Sequence, residues 1–261
     1  LSMRLEQKST VKPLDIAVVR LPHISNFTDF IPLEQHPLLS VRYVQTAREL
    51  GAPDLVILPG TKNTVGDLLW LRQSGLEAAL LKLAADGTPV LGVCGGYQML
   101  GQTLDDSQGT ESGRPQTLRG LGLLPTQTIF TADKRRAQIE ASAAAPFAGA
   151  ALTGYEIHTG RTAVQGAPFC THADGTSEGC VQGTVFGTYL HGLFDSGELT
   201  ERLAAYLCAR KGIAPEAAAS IPMAAYREQQ FDLLADGVRR ALDMDAVYAA
   251  IGLVNPKGDK K

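Results

Sequence analysis

Four short apolar segments, separated by segments with helical periodicity, fill the first 104 residues of this 261-residue chain. Each segment has the length of a buried strand, and a nearly continuous apolar run is typical of a parallel sheet covered on both faces. Strands that alternate with helices predict βαβ units. We therefore predict an α/β fold with a mostly parallel central sheet. The predicted strands cover residues 15–21, 38–45, 54–60 and 90–93, and a helical pattern covers residues 64–85 with a break at Gly75.

The second half of the chain has a different pattern. Residues 121–190 contain several short β-like runs separated by glycines, which we expect to form antiparallel strands that complete or flank the sheet. Helical patterns return near the end, with one or two amphipathic helices joined near Asp243. We expect a linker at 1–13, the main domain at 14–212 with a helix at 198–211, a helical extension at 213–253 and a disordered tail at 254–261.

Composition excludes several classes of function. The net charge is −3 and no basic stripe is present, so we expect no nucleic acid partner. The apolar runs are far shorter than the ~20 residues of a membrane span. Neither a secretory signal nor a C-x-x-C pair or other metal-ligand spacing is visible, so we expect a cytoplasmic protein with free thiols and no metal. Cys170 and Cys180 can pair only in an oxidising compartment.

Cys94 lies between a predicted strand and a predicted helix. The chain turns through Gly95 and Gly96 into the helix, although glycine is a poor helix former. A tight strand-to-helix turn explains these glycines, because Gly92 and Gly96 leave the cysteine uncrowded, as at a nucleophile elbow. A thiolate at the start of a helix is stabilised there. The alternative is a small buried hydrophobic residue, and the context favours a reactive thiol.

A thiolate nucleophile needs a base and donors for developing negative charge. His191 ends the buried run 184–190, and a polar residue at the carboxyl end of such a strand faces the ligand crevice of an α/β sheet. His158 is the second candidate, with a hydrogen-bonded structural histidine as an equal alternative. Gly60 follows the third predicted strand and Gly95 follows the nucleophile, so their backbone N–H groups are the candidate oxyanion donors.

These residues carry a family resemblance. The segments Leu58-Pro-Gly60, Gly92-Val-Cys-Gly-Gly-Tyr-Gln98 and Tyr189-Leu-His-Gly192 resemble the class I glutamine amidotransferase domains, which have a three-layer, flavodoxin-like fold. Three further stretches resemble the cobyric acid synthases, a family of cobalamin biosynthesis: residues 20–30 with Ser-Asn-Phe-Thr-Asp, Gly154-Tyr-Glu-Ile-His-Thr-Gly160, and the tail at 226–236. The resemblance covers nearly all of residues 14–253.

The resemblance implies that Cys94 attacks the side-chain amide of L-glutamine and that His191 transfers the protons. Gly60, Gly95 and Gln98 then form the oxyanion and substrate-binding positions. Class I domains usually place a glutamate two residues after the histidine, but here that residue is Leu193. We therefore expect a Cys–His dyad, with the imidazole held by packing or a backbone carbonyl, and neither Glu156, Asp195 nor Glu198 is favoured as a third member.

The family also implies a division of labour. Its N-terminal synthetase domain uses ATP and magnesium to activate corrin carboxylates, and ammonia reaches them from the glutaminase domain. This sequence has no G-x-x-x-x-G-K-[ST] loop, so we expect the glutaminase half alone, with no cofactor of its own and with the corrinoid bound mainly by the synthetase domain. The alternatives are the amidotransferase subunit that acts on lipid II, the glutaminase domain of cobyrinic acid a,c-diamide synthase, and a non-catalytic partner-binding domain.

Overall fold

The computed structural model describes residues 12–214 and 223–252, which form twelve strands and eight α-helices. The strands are β1 (Leu14–Val19), β2 (Leu39–Val44), β3 (Leu55–Leu58), β4 (Val90–Val93), β5 (Thr103–Asp106), β6 (Gln116–Arg119), β7 (Thr126–Ala143), β8 (Ala151–Val164), β9 (Cys170–His172), β10 (Ser177–Glu178), β11 (Cys180–Gln182) and β12 (Val185–Thr188). The α-helices are α1 (Ile31–Gln35), α2 (Ala47–Leu50), α3 (Thr64–Gln73), α4 (Leu76–Ala85), α5 (Gly95–Leu100), α6 (Glu198–Lys211), α7 (Met223–Ala241) and α8 (Met244–Ala250).

The first sheet has the strand order β11-β12-β4-β3-β1-β2. The five strands from β12 to β2 pair in parallel, and β11 joins the edge in the antiparallel direction. Every residue of β3, β4 and β12 is buried, as expected for strands covered on both faces. The predicted α/β class and its mostly parallel sheet are confirmed. The carboxyl ends of β1, β3, β4 and β12 meet at one edge.

The second sheet differs from the prediction in strand length. It has the order β10-β9-β7-β5-β6, with β8 paired to β7. The sequence indicated short runs, but β7 spans 18 residues and β8 spans 14. The middle of β7, around the charged residues 133–136, is exposed, and its sequence pattern is typical of a loop between two strands. In the structure the strand continues there through a register shift between Phe130 and Arg135. Strands β5 and β6 also lie in a segment that the sequence did not assign.

The helices follow the predicted pattern closely. Gly75 separates α3 from α4 and has φ 75°, a left-handed conformation that suits glycine. Asp243 caps the N-terminus of α8 by accepting hydrogen bonds from the backbone of residues 245 and 246. The helix predicted at 198–211 has the bounds of α6. The 3₁₀ turn Phe27–Phe30 and the short helices α1 and α2 were not predicted, because four or five residues carry too little periodicity.

The chain forms two compact units, residues 1–220 and residues 221–261. The first unit contains both sheets and the buried apolar core. The described part of the second unit consists of α7 and α8, and α7 exposes Phe231, Leu233 and Leu234. Almost all of the predicted linker and the whole predicted disordered tail lie outside the described residues, so those boundaries stay predictions. None of the described helices is both long and apolar enough to span a bilayer.

The four cysteines are all buried, and all four are free in this structure. Cys94, Cys170 and Cys180 lie in or beside strands, and Cys208 lies on α6. The ten-residue separation of Cys170 and Cys180 therefore does not reflect a disulfide.

Two glycines allow α5 to pack directly on the first sheet. A Cβ atom on Gly96 would lie 2.0 Å from the carbonyl oxygen of Leu58, and one on Gly92 would lie 2.7 Å from the backbone of Tyr97. The sequence explained these glycines by the space that they leave around Cys94. The structure adds a stricter reason, because backbone at this distance has no room for any side chain.

We predict that Gly96→Ala destabilises the first unit by about 3 kcal/mol or more, because the new methyl group meets backbone that cannot rotate away. Urea denaturation followed by circular dichroism measures the change in the free energy of unfolding. Gly237→Ala is the control, since a Cβ there meets nothing within 4 Å. An unchanged unfolding midpoint for Gly96→Ala would contradict the packing described.

Candidate active site

Cys94 occupies the turn between β4 and α5. Its φ of 51° and ψ of −109° place it among the two non-glycine residues with positive φ in the described chain. Such a conformation costs on the order of 1–3 kcal/mol and persists only where surrounding contacts impose it. Here the backbone N–H of Cys94 donates to the carbonyl of Thr188, and Sγ lies 3.8 Å from the carbonyl oxygen of Ile157. The predicted strand–turn–helix context of this thiol is confirmed.

His191 follows β12 and is held at its backbone by β8. Tyr155 exchanges two backbone hydrogen bonds with His191, of 3.0 and 2.9 Å, and the two rings stack with centroids 5.4 Å apart. The imidazole is 1% exposed. A Cβ on Gly60 would lie 2.9 Å from Cε1 of this ring, so the loop after β3 packs directly against it. The structure thus brings His191, Gly60 and Cys94 to the same edge of the sheet.

Asp29 corrects the predicted dyad. Its Oδ2 lies 2.7 Å from Nδ1 of His191, and its Oδ1 accepts a 3.2 Å hydrogen bond from the backbone N–H of Gly192. The Asp29 side chain is 5% exposed, and the residue belongs to the 3₁₀ turn that follows β1. The imidazole is therefore oriented by a carboxylate. The sequence had predicted that packing or a backbone carbonyl would orient it. Cys94, His191 and Asp29 have the arrangement of nucleophile, base and orienting acid.

Asp29 was included in the sequence analysis only as part of the family resemblance. It ends the Ser-Asn-Phe-Thr-Asp stretch that carried part of the family resemblance, and it was not considered as a partner of His191, 162 residues away. The usual position of the acid is filled by Leu193, which is fully buried in the core. The loop that follows the first parallel strand lies at the ligand-binding edge of the sheet, and an acidic residue in that loop was the available signal.

Neighbouring charge and burial shift the pKa of His191 in opposite directions. Burial favours the neutral ring, but the Asp29 hydrogen bond and then the interaction with Cys94 outweigh it and raise the pKa of His191 to about 9. At neutral pH the ring is therefore an imidazolium. An imidazolium can supply a proton to a leaving group, and a neighbouring cation generally makes a cysteine more reactive.

Of the two predicted oxyanion donors, Gly95 directly follows Cys94 in the chain and Gly60 packs against the His191 ring. Within the described residues, no backbone carbonyl accepts a hydrogen bond from the N–H of Gly60 or of Gly95. Both positions are confined, since a Cβ on Gly95 would lie 2.6 Å from the Thr61 side chain. Their role in oxyanion binding stays a prediction, and these contacts are compatible with it.

Gln98 lines the cleft next to Cys94, but its amide is engaged by the protein. Its Oε1 accepts a hydrogen bond from Thr64 at 3.1 Å, and its Nε2 donates to the hydroxyl of Tyr189 at 3.0 Å. Tyr189 in turn contacts Thr162 of β8 at 2.5 Å. These bonds tie α5 to both sheets. Substrate binding by Gln98 stays a prediction, and its observed contacts indicate a support for the cleft wall.

The cleft has a volume of about 290 Å³, and both apolar surface and polar side chains line it. Lys62, Lys134 and Glu111 provide charged groups on its walls. Glu111 also accepts a hydrogen bond from the backbone N–H of Thr64 at 2.7 Å. A small zwitterion that presents one polar end to Cys94 fits this combination of size and charge.

The other histidines have separate partners. His158 also lines the cleft, where its ring stacks on Tyr189 with centroids 3.6 Å apart and its Nδ1 contacts the Gly160 carbonyl. These contacts support the interpretation of His158 as a hydrogen-bonded structural histidine. His23 pairs with Asp67 at 2.7 Å, and His36 is buried 3.6 Å from Glu201. Two of the acids considered in the sequence have other partners: Glu156 pairs with Arg135, and Glu198 accepts from the backbone of Ala151.

Comparison with known proteins identifies relatives of this chain. Residues 15–199 match the model of the CobB/CobQ-like glutamine amidotransferase domain. Cobyric acid synthase from Citrobacter koseri is 48% identical over 91% of the chain, and that from Ruminiclostridium cellulolyticum is 42% identical over 96%. The chain spans about half the length of these curated relatives, 49% and 51% respectively.

Solved structures show the same fold. A glutamine amidotransferase crystal structure aligns over 76% of this chain and 99% of its own, with a TM-score of 0.52 and 17% identity. The PurLQS structure from Thermotoga maritima also covers 76% of this chain, with a TM-score of 0.57 and 17% identity. At this level of identity the likeness concerns the fold alone, and the α/β architecture of class I glutamine amidotransferases is thereby shown.

We predict that Asp29→Asn lowers the pKa of His191 and slows alkylation of Cys94 at pH 7 by about tenfold or more. The carboxylate is a principal group that raises this pKa, and each pKa unit changes the ratio of imidazolium to neutral ring tenfold. NMR titration of the imidazole and the iodoacetamide reaction rate provide the two measurements.

Asp54→Asn serves as the matched control for that variant. Asp54 also accepts a backbone N–H and pairs with a cation, Lys211, but it lies at the start of β3, away from the thiol. The triad assignment is wrong if Asp29→Asn leaves both the His191 pKa and the alkylation rate at wild-type values.

The raised pKa of His191 also makes stability depend on pH. Between the ordinary value of 6.5 and about 9 the folded protein holds a proton that the unfolded chain releases, so this contribution is complete below pH 6.5 and disappears as the pH rises through 9. The shift corresponds to about 3 kcal/mol. We expect the difference in unfolding free energy between wild type and Asp29→Asn to shrink over this interval in urea denaturation. A difference that is constant from pH 6 to 9.5 would refute this assignment of the proton.

Proposed function

Because the chain belongs to the family of CobB/CobQ-like glutamine amidotransferase domains, we propose that it hydrolyses L-glutamine and delivers the ammonia to an amidation reaction. The observation that carries the proposal is the contact of Asp29 with His191 behind a strained, buried cysteine. A cysteine that only packs against its neighbours needs neither the positive φ nor a charged imidazole beside it.

The residues supply each step of the proposed reaction. The Cys94 thiolate attacks the amide carbon of the glutamine side chain, and the carbonyl electron pair moves to the oxygen. Donors at Gly60 and Gly95 bind that oxyanion. The imidazolium of His191 protonates the departing nitrogen, so ammonia leaves and a thioester forms. The neutral ring then takes a proton from water, the hydroxide attacks the thioester, and glutamate leaves with regeneration of the thiolate.

Charged groups in the cleft suit the other end of the substrate. Free glutamine carries a carboxylate and an ammonium on its α-carbon, and Lys62, Lys134 and Glu111 lie on the cleft wall. We assign the lysines to the α-carboxylate and Glu111 to the α-ammonium. Burial raises the pKa of Glu111, and an ammonium next to it would reverse this effect.

The reaction that consumes the ammonia is proposed from the relatives. The relatives described above are cobyric acid synthases, and the chain matches about half of their length. We propose that the other half is the ATP- and magnesium-dependent synthetase domain, and that it binds the corrinoid and amidates its carboxylates. This chain would then act as the glutaminase domain of such an enzyme, in the cytoplasm.

We predict that an electrophilic glutamine analogue labels one residue of the chain, Cys94, and that Cys94→Ser abolishes both labelling and glutamate release. Intact-protein mass spectrometry and peptide mapping detect the adduct, and a coupled assay detects glutamate. The assay needs to be run with and without the synthetase domain of a relative, because we expect the isolated chain to be slow.

Cys208→Ser is the matched control, since Cys208 is another buried free thiol that lies on α6. It is expected to keep labelling and turnover. The proposal fails if Cys94 remains unlabelled and no glutamate forms even with the synthetase domain present. Labelling without turnover would point to a defect in water activation by His191.

A further inference from the structure

A second group of reactive side chains lies on the antiparallel sheet, apart from Cys94. Cys170 and His172 are on β9, and Glu178 is on the neighbouring strand β10. One ligand atom from each of them lies within 4.8 Å of the other two. A thiol, an imidazole and a carboxylate are the donor types that zinc binds in proteins.

His172 has a ring nitrogen that nothing satisfies. Its Nε2 is buried and makes no hydrogen bond, and the side chain is 9% exposed. The nearest described carboxylate oxygen, Oε1 of Glu156, is 3.6 Å away, beyond hydrogen-bond distance. The other nitrogen, Nδ1, lies on the exposed side, 3.5 Å from the Thr176 hydroxyl. A buried ring nitrogen without a hydrogen-bond partner is costly, and a cation bound to it removes that cost.

The spacing also suits a tetrahedral ion. Bonds of about 2.0–2.3 Å place neighbouring ligand atoms on a tetrahedral zinc roughly 3.3–3.8 Å apart. Sγ of Cys170 lies 3.5 Å from Oε2 of Glu178, so these two ligands are already at that separation. One ring nitrogen of His172 lies within 4.8 Å of both ligand atoms, so the ring has to move closer to complete a tetrahedral set.

We propose that Cys170, His172 and Glu178 bind a zinc ion through Sγ, Nε2 and a carboxylate oxygen. Cys170 binds as the thiolate and releases its proton to water. The fourth position faces the adjacent cleft of about 580 Å³, which His172 and Glu178 line together with Glu156, and a water molecule occupies it.

The groups behind the site hold the carboxylate in place. Thr188 donates to Oε2 of Glu178 at 2.6 Å, and the backbone N–H of Tyr189 donates to Oε1 at 2.7 Å. Metal-binding carboxylates are commonly oriented in this way by hydrogen bonds from outside the ligand set. These two donors lie three and two residues before His191, so the ion would fasten the β9–β10 hairpin to the strand end that carries the catalytic base.

The test is a Co²⁺ titration of the metal-free 261-residue chain, because Co²⁺ replaces zinc and gives a thiolate charge-transfer band. All samples carry Cys94→Ser, so that the catalytic thiol cannot produce the band. We expect one equivalent to bind with a thiolate band, Zn²⁺ to displace it, and the thermal midpoint to rise with zinc. Cys170→Ser should remove the band, and His172→Gln should weaken binding by more than the roughly 10–100-fold of an outer-shell change.

Cys208→Ser in the same background is the control and should retain the band and the affinity. Circular dichroism tests whether each variant is folded. If Cys170→Ser does not fold, the affinity of His172→Gln decides the outcome. The proposal is overturned if the Cys94→Ser chain gives no thiolate band. It is also overturned if folded Cys170→Ser or His172→Gln binds as tightly as the Cys94→Ser chain.

Discussion

The contact between Asp29 and His191 is the interaction on which the chemistry of this protein depends. Both groups are almost completely buried, and burial alone would leave the imidazole neutral. The carboxylate reverses that preference, and it also fixes the ring by holding the backbone of Gly192. Two separate elements position this pair, because the 3₁₀ turn after β1 carries the acid and β8 holds the histidine backbone.

Close packing around Cys94 provides the second constraint. Cys94 has a backbone conformation that a non-glycine residue rarely adopts. Helix α5 packs against β3 and β4 at distances that only glycine permits. The turn is thereby determined from both sides, since neither the strand nor the helix can move without backbone overlap. The Gln98–Tyr189–Thr162 hydrogen bonds then extend this rigidity from α5 to β8 of the second sheet.

The sequence predicted those parts of the fold and site that depend on local pattern. The parallel strands, the break at Gly75, the helix of residues 198–211 and the thiol on its turn all follow from short apolar runs and glycines. The length of β7 was hidden because its charged middle is exposed. The role of Asp29 was hidden because its partner is 162 residues distant, and only the three-dimensional order of the strands brings them together.

The position of Asp29 in the loop after β1 determines what happens to the site when the polypeptide is cut into two fragments. Asp29 precedes β2, whereas Cys94 and His191 both follow β3. A polypeptide break in the exposed stretch at residues 45–49 would put the acid on one fragment and the thiol and imidazole on the other. Reassociation of two such fragments would restore the charged imidazole only when β1 regains its place between β2 and β3. The reactivity of a single cysteine would then report on whether the central sheet has assembled in its correct order.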